Sequence, residues 1–335
     1  MRHDDYANII AHINTKVGMC VAARVSRAFF AILLKPTRLA LQKMGLCAEQ
    51  RFQISIRPLA LVRQCSCVKE HTKFSGSIPA AYDRYLGPIL FQPYAEDLAA
   101  RVPVKKTSSV LELACGTGIL TRVLRTYLPS KVKLIATDLN EPMFRQAAAK
   151  FGKGEKVRWL EADASDLPFD DRKFDAVVCQ FGIMFVADKA LAAREAYRVL
   201  KRNGLFLFSV WDGMKHNKLG ELAHRTIASY FKKDPPTFYQ VPFSYHNRTE
   251  IRRVLKQAGF REIKTEVIAK IGQAKRAEDV AKGLVEGNPV AATIAKRDPS
   301  LLPVITDAVT AAITRRFGKQ NIHAPMRAIV VRARI

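Results

Sequence analysis

The feature that most constrains the fold is a regular alternation of short apolar segments with amphipathic ones. Seven segments have the β-branched and aromatic character of strands. They span 108–114, 131–139, 156–163, 174–182, 204–211, 261–272 and 324–335. Most of the sequence between them repeats apolar residues at helical spacing. Strands that alternate with helices form a parallel sheet covered on both faces, so we predict an α/β, doubly wound, seven-stranded fold.

Glycine and proline residues predict where several helices begin and end. Residues 74–102 have helical periodicity, and Gly87-Pro88 predicts a break that divides them into two helices. The segment 188–204 reads as a helix that ends at Gly204 after a basic last turn. Residues 276–318 read as mostly helical, with no repeat at solenoid periods.

The chain is strongly basic, with a formal net charge of +25 over 335 residues. Such a charge favours nucleic acid or an anionic membrane surface as partner, but no dense Lys/Arg run with interleaved aromatic residues is present, so nucleic acid is disfavoured. Residues 1–67 carry ten Lys/Arg against three acidic residues, and their apolar stretch 28–34 is too short to span a bilayer. We predict a disordered or loosely helical N-terminal extension over 1–67, which adds nothing to the fold of a domain over 68–335. A mitochondrial transit peptide has a similar composition and is the alternative interpretation of this segment.

Cysteine usage indicates a reducing compartment. The six cysteines include a C-x-C pair, and no Cys/His set has the spacing of a zinc site. We therefore predict a cytoplasmic protein without structural disulfides and without a metal site.

The stretch "VLELACGTGIL" (110–120) passes from a strand through two glycines into a helix. Glycines at this turn let backbone N–H groups face a ligand, and Asp138 follows twenty residues after Gly118, where an acid accepts hydrogen bonds from ribose hydroxyls. A nicotinamide dinucleotide and S-adenosylmethionine both satisfy this pattern. The third glycine of the dinucleotide motif is missing, and Glu112 before the turn suits an ammonium better than a pyrophosphate, which favours S-adenosylmethionine.

Four motifs in order extend this pattern: "VLELACGTG", "ATDLNEPM", "EADASDLPF" and the segment 174–211. Together they resemble the class I S-adenosylmethionine-dependent methyltransferases, in particular the small-molecule branch that includes the ubiquinone/menaquinone C-methyltransferases (methyltransferase types 11 and 25). The resemblance covers roughly 70–335. It implies a Rossmann-like sheet with an antiparallel C-terminal strand, a helical lid over 74–102, a cofactor core over 108–211, and substrate-pocket and C-terminal elements over 212–335.

The resemblance also implies roles for individual residues. Glu112 and the backbone of Ala114, Cys115, Gly116, Thr117 and Gly118 would hold the methionine end of the cofactor, Asp138 the ribose, Leu139, Met143, Asp163 and Ala164 the adenine, and Gln180 the region of the reacting methyl. Tyr82 and Tyr85 lie on the expected lid. Ala114 departs from the glycine that the family often has there.

The methyl acceptor is expected to be a small lipophilic or aromatic molecule, because the aromatic, proline-containing segment 230–245 and the helical segment 276–318 are apolar and look like elements of the substrate pocket. The segment "CQFG" after the fourth strand lacks the Asn/Asp-Pro-Pro-aromatic set of enzymes that methylate exocyclic amines. No general base stands out, and His216, His246 and Tyr245 are the candidates. An RNA methyltransferase, a nicotinamide-dependent oxidoreductase and a catalytically silent cofactor-binding protein remain alternatives, and the sequence does not indicate an oligomeric state.

Overall fold

The computed structural model describes residue 71 and residues 73–335. The predicted N-terminal extension, residues 1–67, therefore lies outside the described residues. The helices are α1 (Ile78–Ala81), which continues as a π-helical segment (Tyr82–Phe91), α2 (Gln92–Ala100), α3 (Ile119–Tyr127), α4 (Glu141–Ala148), α5 (Lys189–Val199), α6 (Lys218–Ser229), α7 (Arg248–Gln257), α8 (Ala277–Glu286), α9 (Val290–Arg297) and α10 (Leu301–Phe317). The strands are β1 (Ser109–Glu112), β2 (Lys133–Asp138), β3 (Val157–Glu161), β4 (Phe174–Gln180), β5 (Leu200–Trp211), β6 (Glu262–Arg276) and β7 (Gln320–Arg334).

The seven strands form one sheet in the order β3-β2-β1-β4-β5-β7-β6. Neighbouring strands from β3 to β5 run parallel, whereas β7 is antiparallel to both β5 and β6. The chain winds outward in one direction from β1 and in the other from β4, so a switch in strand order falls between these two strands. Their carboxyl ends border the crevice in which such sheets bind ligands. The predicted α/β fold with an antiparallel C-terminal strand is confirmed.

Two apolar cores cover the two faces of the sheet, because successive strand residues point to opposite sides. Val110 of β1 belongs to the core beneath α2 and α3, whereas its neighbour Leu111 belongs to the core on the other face. Both side chains are completely buried. Within the described part of the chain, none of the helices has the length and apolar character that a bilayer crossing requires.

The predicted break at Gly87-Pro88 is wrong. A single helical run extends from α1 to α2, and Pro88 lies inside its π-helical segment. Proline has no N–H to donate and its ring collides with the carbonyl four residues earlier. The wider i→i+5 pairing of a π-helix accommodates that misfit without ending the helix.

Strand pairing also moved three predicted boundaries. The helix predicted over 188–204 ends at Val199, because Leu200 already pairs with Phe174 of β4, and Gly204 lies inside β5. Strands β6 and β7 are longer than predicted, since they pair with each other as far as Arg276 opposite Gln320. In each case long-range pairing overrides local helix or loop preference.

Candidate active site

The loop between β1 and α3 has a backbone that few side chains tolerate. Gly116 and Gly118 have φ angles of 55° and 77°. A Cβ atom at Gly118 would lie 2.8 Å from Cβ of Ala147, so α4 packs directly on this turn. Ala114 has a φ of 50° although it carries a side chain. This strain is consistent with the glycine expected there from the family resemblance.

Asp138 connects the carboxyl end of β2 to this loop. Its carboxylate accepts hydrogen bonds from the N–H of Gly116 and the N–H of Asn140, both at 2.8 Å. Burial raises the pKa of Asp138, and the hydrogen bonds from Asn140 and Gly116 oppose that shift. The side chain is therefore an acceptor fixed beside the glycine turn.

Glu112 at the end of β1 is buried without full hydrogen bonding. It is 1% exposed, and its Oε2 has no partner. Burial raises the pKa of Glu112 to about 8; the hydroxyl of Thr121 opposes this shift, and the negative charge of Asp138 adds to it. The hydroxyl of Thr117 is likewise buried and unpartnered. Because unmade hydrogen bonds of this kind are costly, these two groups define a place that a polar or cationic ligand would complete.

These groups border a cavity of about 310 Å³ at the carboxyl ends of β1 and β4, which we call the glycine-loop cavity. Seven of the fourteen residues predicted from the sequence line it. They are Tyr82, Glu112, Ala114, Cys115, Gly116, Thr117 and Gln180. Gly118 completes the loop, and the Met143 methyl would lie 3.5 Å from a Cβ at Gly116.

A second, larger cavity of about 660 Å³, here called the apolar cavity, lies beside the first. Aromatic residues dominate its lining, and no Asp, Glu, Lys, Arg or His among the described residues lines it. Two of its polar groups are already paired, since Tyr239 Oη donates to the Leu284 carbonyl at 2.6 Å and Asn217 Nδ2 donates to the Asp212 carbonyl at 3.0 Å. The cavity therefore suits an apolar, ring-containing molecule.

Tyr82 and Phe91 line both cavities and separate them. Their rings stack with centroids 4.7 Å apart, and Gln180 Nε2 donates to the Phe91 carbonyl at 2.7 Å. An α-helix turns 100° per residue, so nine residues would place these rings on opposite sides. The π-helical segment has more residues per turn and brings them to one side. Sequence reasoning missed Phe91 because apolar periodicity assigns it only to the core.

Seven of the predicted site residues line neither cavity: Gly118, Asp138 and Met143, which were described above, and Tyr85, Leu139, Asp163 and Ala164. Tyr85 packs against Gly283 of α8, Leu139 is 54% exposed, and Ala164 is half-buried. Asp163 is exposed and accepts a hydrogen bond from the N–H of Ser165 at 2.7 Å, so its carboxylate caps its own turn. Of the two tyrosines on the predicted lid, Tyr82 therefore lines both cavities and Tyr85 lines neither.

The candidate general bases also lie away from both cavities. His216 and His246 border a separate polar cavity beside Asp212 and Arg327. Tyr245 is buried beneath the ammonium of Lys189, which lies 5.1 Å from its ring centroid. In residues 71 and 73–335, no three His, Cys, Asp or Glu side chains are grouped to hold a metal ion.

Known proteins share this combination of fold and loop. A family model described as a methyltransferase domain matches residues 111–208. The demethylmenaquinone methyltransferase of Staphylococcus epidermidis is 33% identical over 210 residues, which are 58% of this chain and 85% of that protein. The enzyme of the same name from Staphylococcus carnosus is 27% identical over 232 residues, which are 64% of this chain and 96% of that protein.

A solved structure extends the likeness at the level of the fold alone. Phosphoethanolamine N-methyltransferase 2 of Haemonchus contortus, in complex with S-adenosyl-L-methionine, is 18% identical, with a TM-score of 0.51 over 79% of this chain and 58% of that chain.

Sheet order, glycine loop and family match together define an S-adenosylmethionine-dependent methyltransferase of class I, with S-adenosylmethionine as its cofactor. Within that class the chain belongs to the family that includes the staphylococcal demethylmenaquinone methyltransferases. The oxidoreductase alternative is not supported.

Proposed function

We propose that this enzyme methylates a lipophilic molecule with an aromatic or quinol ring, of the kind that the name demethylmenaquinone methyltransferase describes for its relatives. The observation that carries the proposal is the apolar cavity, which shares Tyr82 and Phe91 with the glycine-loop cavity. A ring bound in the apolar cavity would lie next to a methyl donor bound in the glycine-loop cavity. Holding the two reactants at near contact is the main task of the protein in such a displacement.

Unpartnered polar groups support the placement of the cofactor. S-adenosylmethionine supplies an electrophilic methyl on a cationic sulfonium, and its other end carries an ammonium and a carboxylate. Glu112 Oε2 is a buried acceptor without a partner, which suits the ammonium. Asp138 is a fixed acceptor at the end of β2, which suits the ribose hydroxyls. Tyr82 and Phe91 present aromatic faces, which favour a nearby cation.

The remaining assignments are parts of the same proposal. Leu139, Met143, Asp163 and Ala164 would border the adenine, since they follow or flank the carboxyl ends of β2 and β3. The division into a lid (74–102), a cofactor core (108–211) and substrate elements (212–335) is supported by the cavity linings, because the lid and the last segment meet around the apolar cavity.

Nucleic acid is not the proposed acceptor, because no cationic side chain of the described residues lines the apolar cavity. A cytoplasmic location agrees with the thiols of Cys115 and Cys179, which are not joined in a disulfide.

An acceptor panel tests the proposal. The full-length protein would be incubated with methyl-labelled S-adenosylmethionine and, separately, with a prenylated demethylnaphthoquinol, its tail-less ring analogue, phosphoethanolamine and total RNA. We expect label in the two ring compounds, with the lower KM for the prenylated one because it buries more apolar surface. Label in RNA or phosphoethanolamine alone would show that the acceptor class is wrong.

A further inference from the structure

Asn288 lies in the loop after α8, beside the boundary between the two cavities. It lines the apolar cavity and is 7% exposed. The loop packs on the lid helix without room for a side chain, since a Cβ atom at Gly287 would lie 3.1 Å from the backbone N of Tyr82. Tyr82 lines both cavities. Asn288 is therefore anchored one residue away from a direct contact with the side of the lid helix that separates the apolar cavity from the glycine-loop cavity.

The end of α8 fixes the orientation of the Asn288 amide. Its Nδ2 donates to the carbonyl of Leu284 at 3.1 Å and to the carbonyl of Gly283 at 3.4 Å. The Leu284 carbonyl also accepts from Tyr239 Oη at 2.6 Å. With the amide reversed, Oδ1 would face two carbonyl oxygens, which are acceptors only. The amide therefore directs Nδ2 at the helix end and leaves Oδ1 on its other side.

Oδ1 of Asn288 is an acceptor without a donor. Among the residues that the structure describes, none donates a hydrogen bond to it. The other asparagine of the lining differs, because Asn217 Oδ1 accepts from the N–H of Arg327 at 3.0 Å. A largely buried acceptor that stays unpaired costs free energy. The apolar cavity thus contains one polar point that a ligand with a hydroxyl group would satisfy.

An amide oxygen carries no proton, so it distinguishes a hydroxyl from a carbonyl. A ring hydroxyl can donate to Oδ1 of Asn288, whereas a quinone carbonyl would set lone pairs against lone pairs. The indole N–H of Trp211, which is in the same lining and has no described partner either, does not distinguish them, because hydroxyl and carbonyl oxygens both accept. A site that pairs its buried polar group with one ligand rejects the analogue that leaves the group unpaired.

We propose that Asn288 is a specificity-determining residue, whose Oδ1 accepts a hydrogen bond from a ring hydroxyl of the methyl acceptor and so selects the reduced, hydroquinone form. The proposal rests on the proposed function, since it concerns which form of a ring acceptor is bound. Selection of this form suits the reaction, because a cationic sulfonium gives up its methyl to an electron-rich ring carbon. A hydroquinone ring is electron-rich, and a quinone ring is electron-poor.

Binding of two ligands with the same ring and oxygen positions tests the proposal. Anaerobic calorimetry would titrate 1,4-dihydroxynaphthalene and 1,4-naphthoquinone into the full-length protein saturated with S-adenosylhomocysteine. Wild type should bind the hydroquinone roughly 10- to 100-fold more tightly than the quinone. Asn288→Ala should bind the hydroquinone more weakly and the quinone no more weakly, so the ratio should fall below roughly threefold. Asn288→Asp keeps an oxygen acceptor and should retain a ratio of at least roughly tenfold.

The matched control is Asn247→Ala. Asn247 is exposed, lines neither cavity and caps α7, since its side chain accepts from the N–H groups of Thr249 and Glu250. The control removes the same side chain and a helix cap, so the ratio should stay that of wild type.

Two outcomes would overturn the assignment of Asn288 alone. One is equal affinity of wild type for hydroquinone and quinone, which needs no variant and therefore decides the question even if Asn288→Ala does not fold. The other is a ratio that persists in Asn288→Ala, as a purely structural role at the end of α8 would give. Failure of wild type to bind either ring compound would instead overturn the proposed function, and this assignment with it.

Discussion

Replacing Glu112 by Gln tests the cofactor site most directly, because the two side chains have the same shape and differ in charge only when Glu112 is ionised. With a pKa of about 8 in the ligand-free protein, Glu112 is protonated at neutral pH. An ammonium bound against it favours the carboxylate, so binding releases a proton. The cost of that release is about 1.4 kcal/mol at pH 7, about 2.7 kcal/mol at pH 6 and close to zero above pH 9.

The free energy gained from the hydrogen bond between Glu112 and the ammonium sets the upper limit on how much more tightly wild type can bind than the Gln variant. A hydrogen bond between a buried carboxylate and an ammonium contributes about 1.5–3 kcal/mol. At pH 6 the gain and the release cost nearly cancel, and wild type and the Gln variant should bind about equally. At pH 9 the cost disappears, and wild type should bind about 10- to 150-fold more tightly.

Isothermal titration with S-adenosylhomocysteine between pH 6 and 9 measures this ratio. The ligand carries the same amino-acid tail, and its own titration affects both proteins equally, so the ratio of the two dissociation constants isolates Glu112. A ratio that does not change with pH, or a variant that binds as tightly as wild type at pH 9, would show that Glu112 does not face the ammonium.

Thermal unfolding without ligand gives an independent readout. The folded protein keeps a proton on Glu112 up to about pH 8, whereas the unfolded chain releases it near pH 4.3. The stability contributed by this group is therefore fully present below pH 4.3 and is lost as the pH rises towards 8, by about 1.4 kcal/mol per pH unit. The Gln variant should lack this decline, so its melting temperature should rise relative to that of wild type between about pH 4.3 and pH 8, and the difference should level off above pH 8. Parallel pH profiles would contradict the raised pKa.

Other residues of the two cavities give further predictions. Asp138→Asn keeps an acceptor for the loop but loses the charge. Its Kd for S-adenosylhomocysteine should therefore rise about 10- to 100-fold, with an unchanged circular dichroism spectrum. An unchanged Kd would contradict the ribose assignment. Ala114→Gly should raise the melting temperature by about 2–4 °C, because it relieves a left-handed φ. Gly118→Ala should lower it by at least as much, and equal melting temperatures would refute the packing argument. Gly220→Ala would place a Cβ 2.7 Å from Cζ of Phe243 in the apolar cavity. It should raise KM for the acceptor severalfold and leave cofactor binding unchanged in calorimetry.

Much of the fold could be predicted because the information is local. Strand and helix periods differ, so the alternation of the two indicates a covered parallel sheet without knowledge of any contact. Glu112, Gly116 and Asp138 could likewise be selected, since a glycine turn and the acid at the end of the next strand have fixed positions in such sheets. The prediction was wrong where pairing between distant segments decided the outcome, as at Val199, where β5 replaces the last turns of a predicted helix.

The sequence by itself determined the class of the protein: the alternation of strands and helices, the glycine turn and the acids around it all follow from patterns a few residues long. Only the tertiary structure decided the electrostatic state of Glu112, because the pKa depends on how completely other segments exclude water from the carboxyl group. The tertiary structure also decided that the apolar cavity and the glycine-loop cavity are separate. Tyr82 and Phe91 lie on one side of a π-helical segment and stack there, and helical periodicity in the sequence does not distinguish that geometry from an ordinary α-helix.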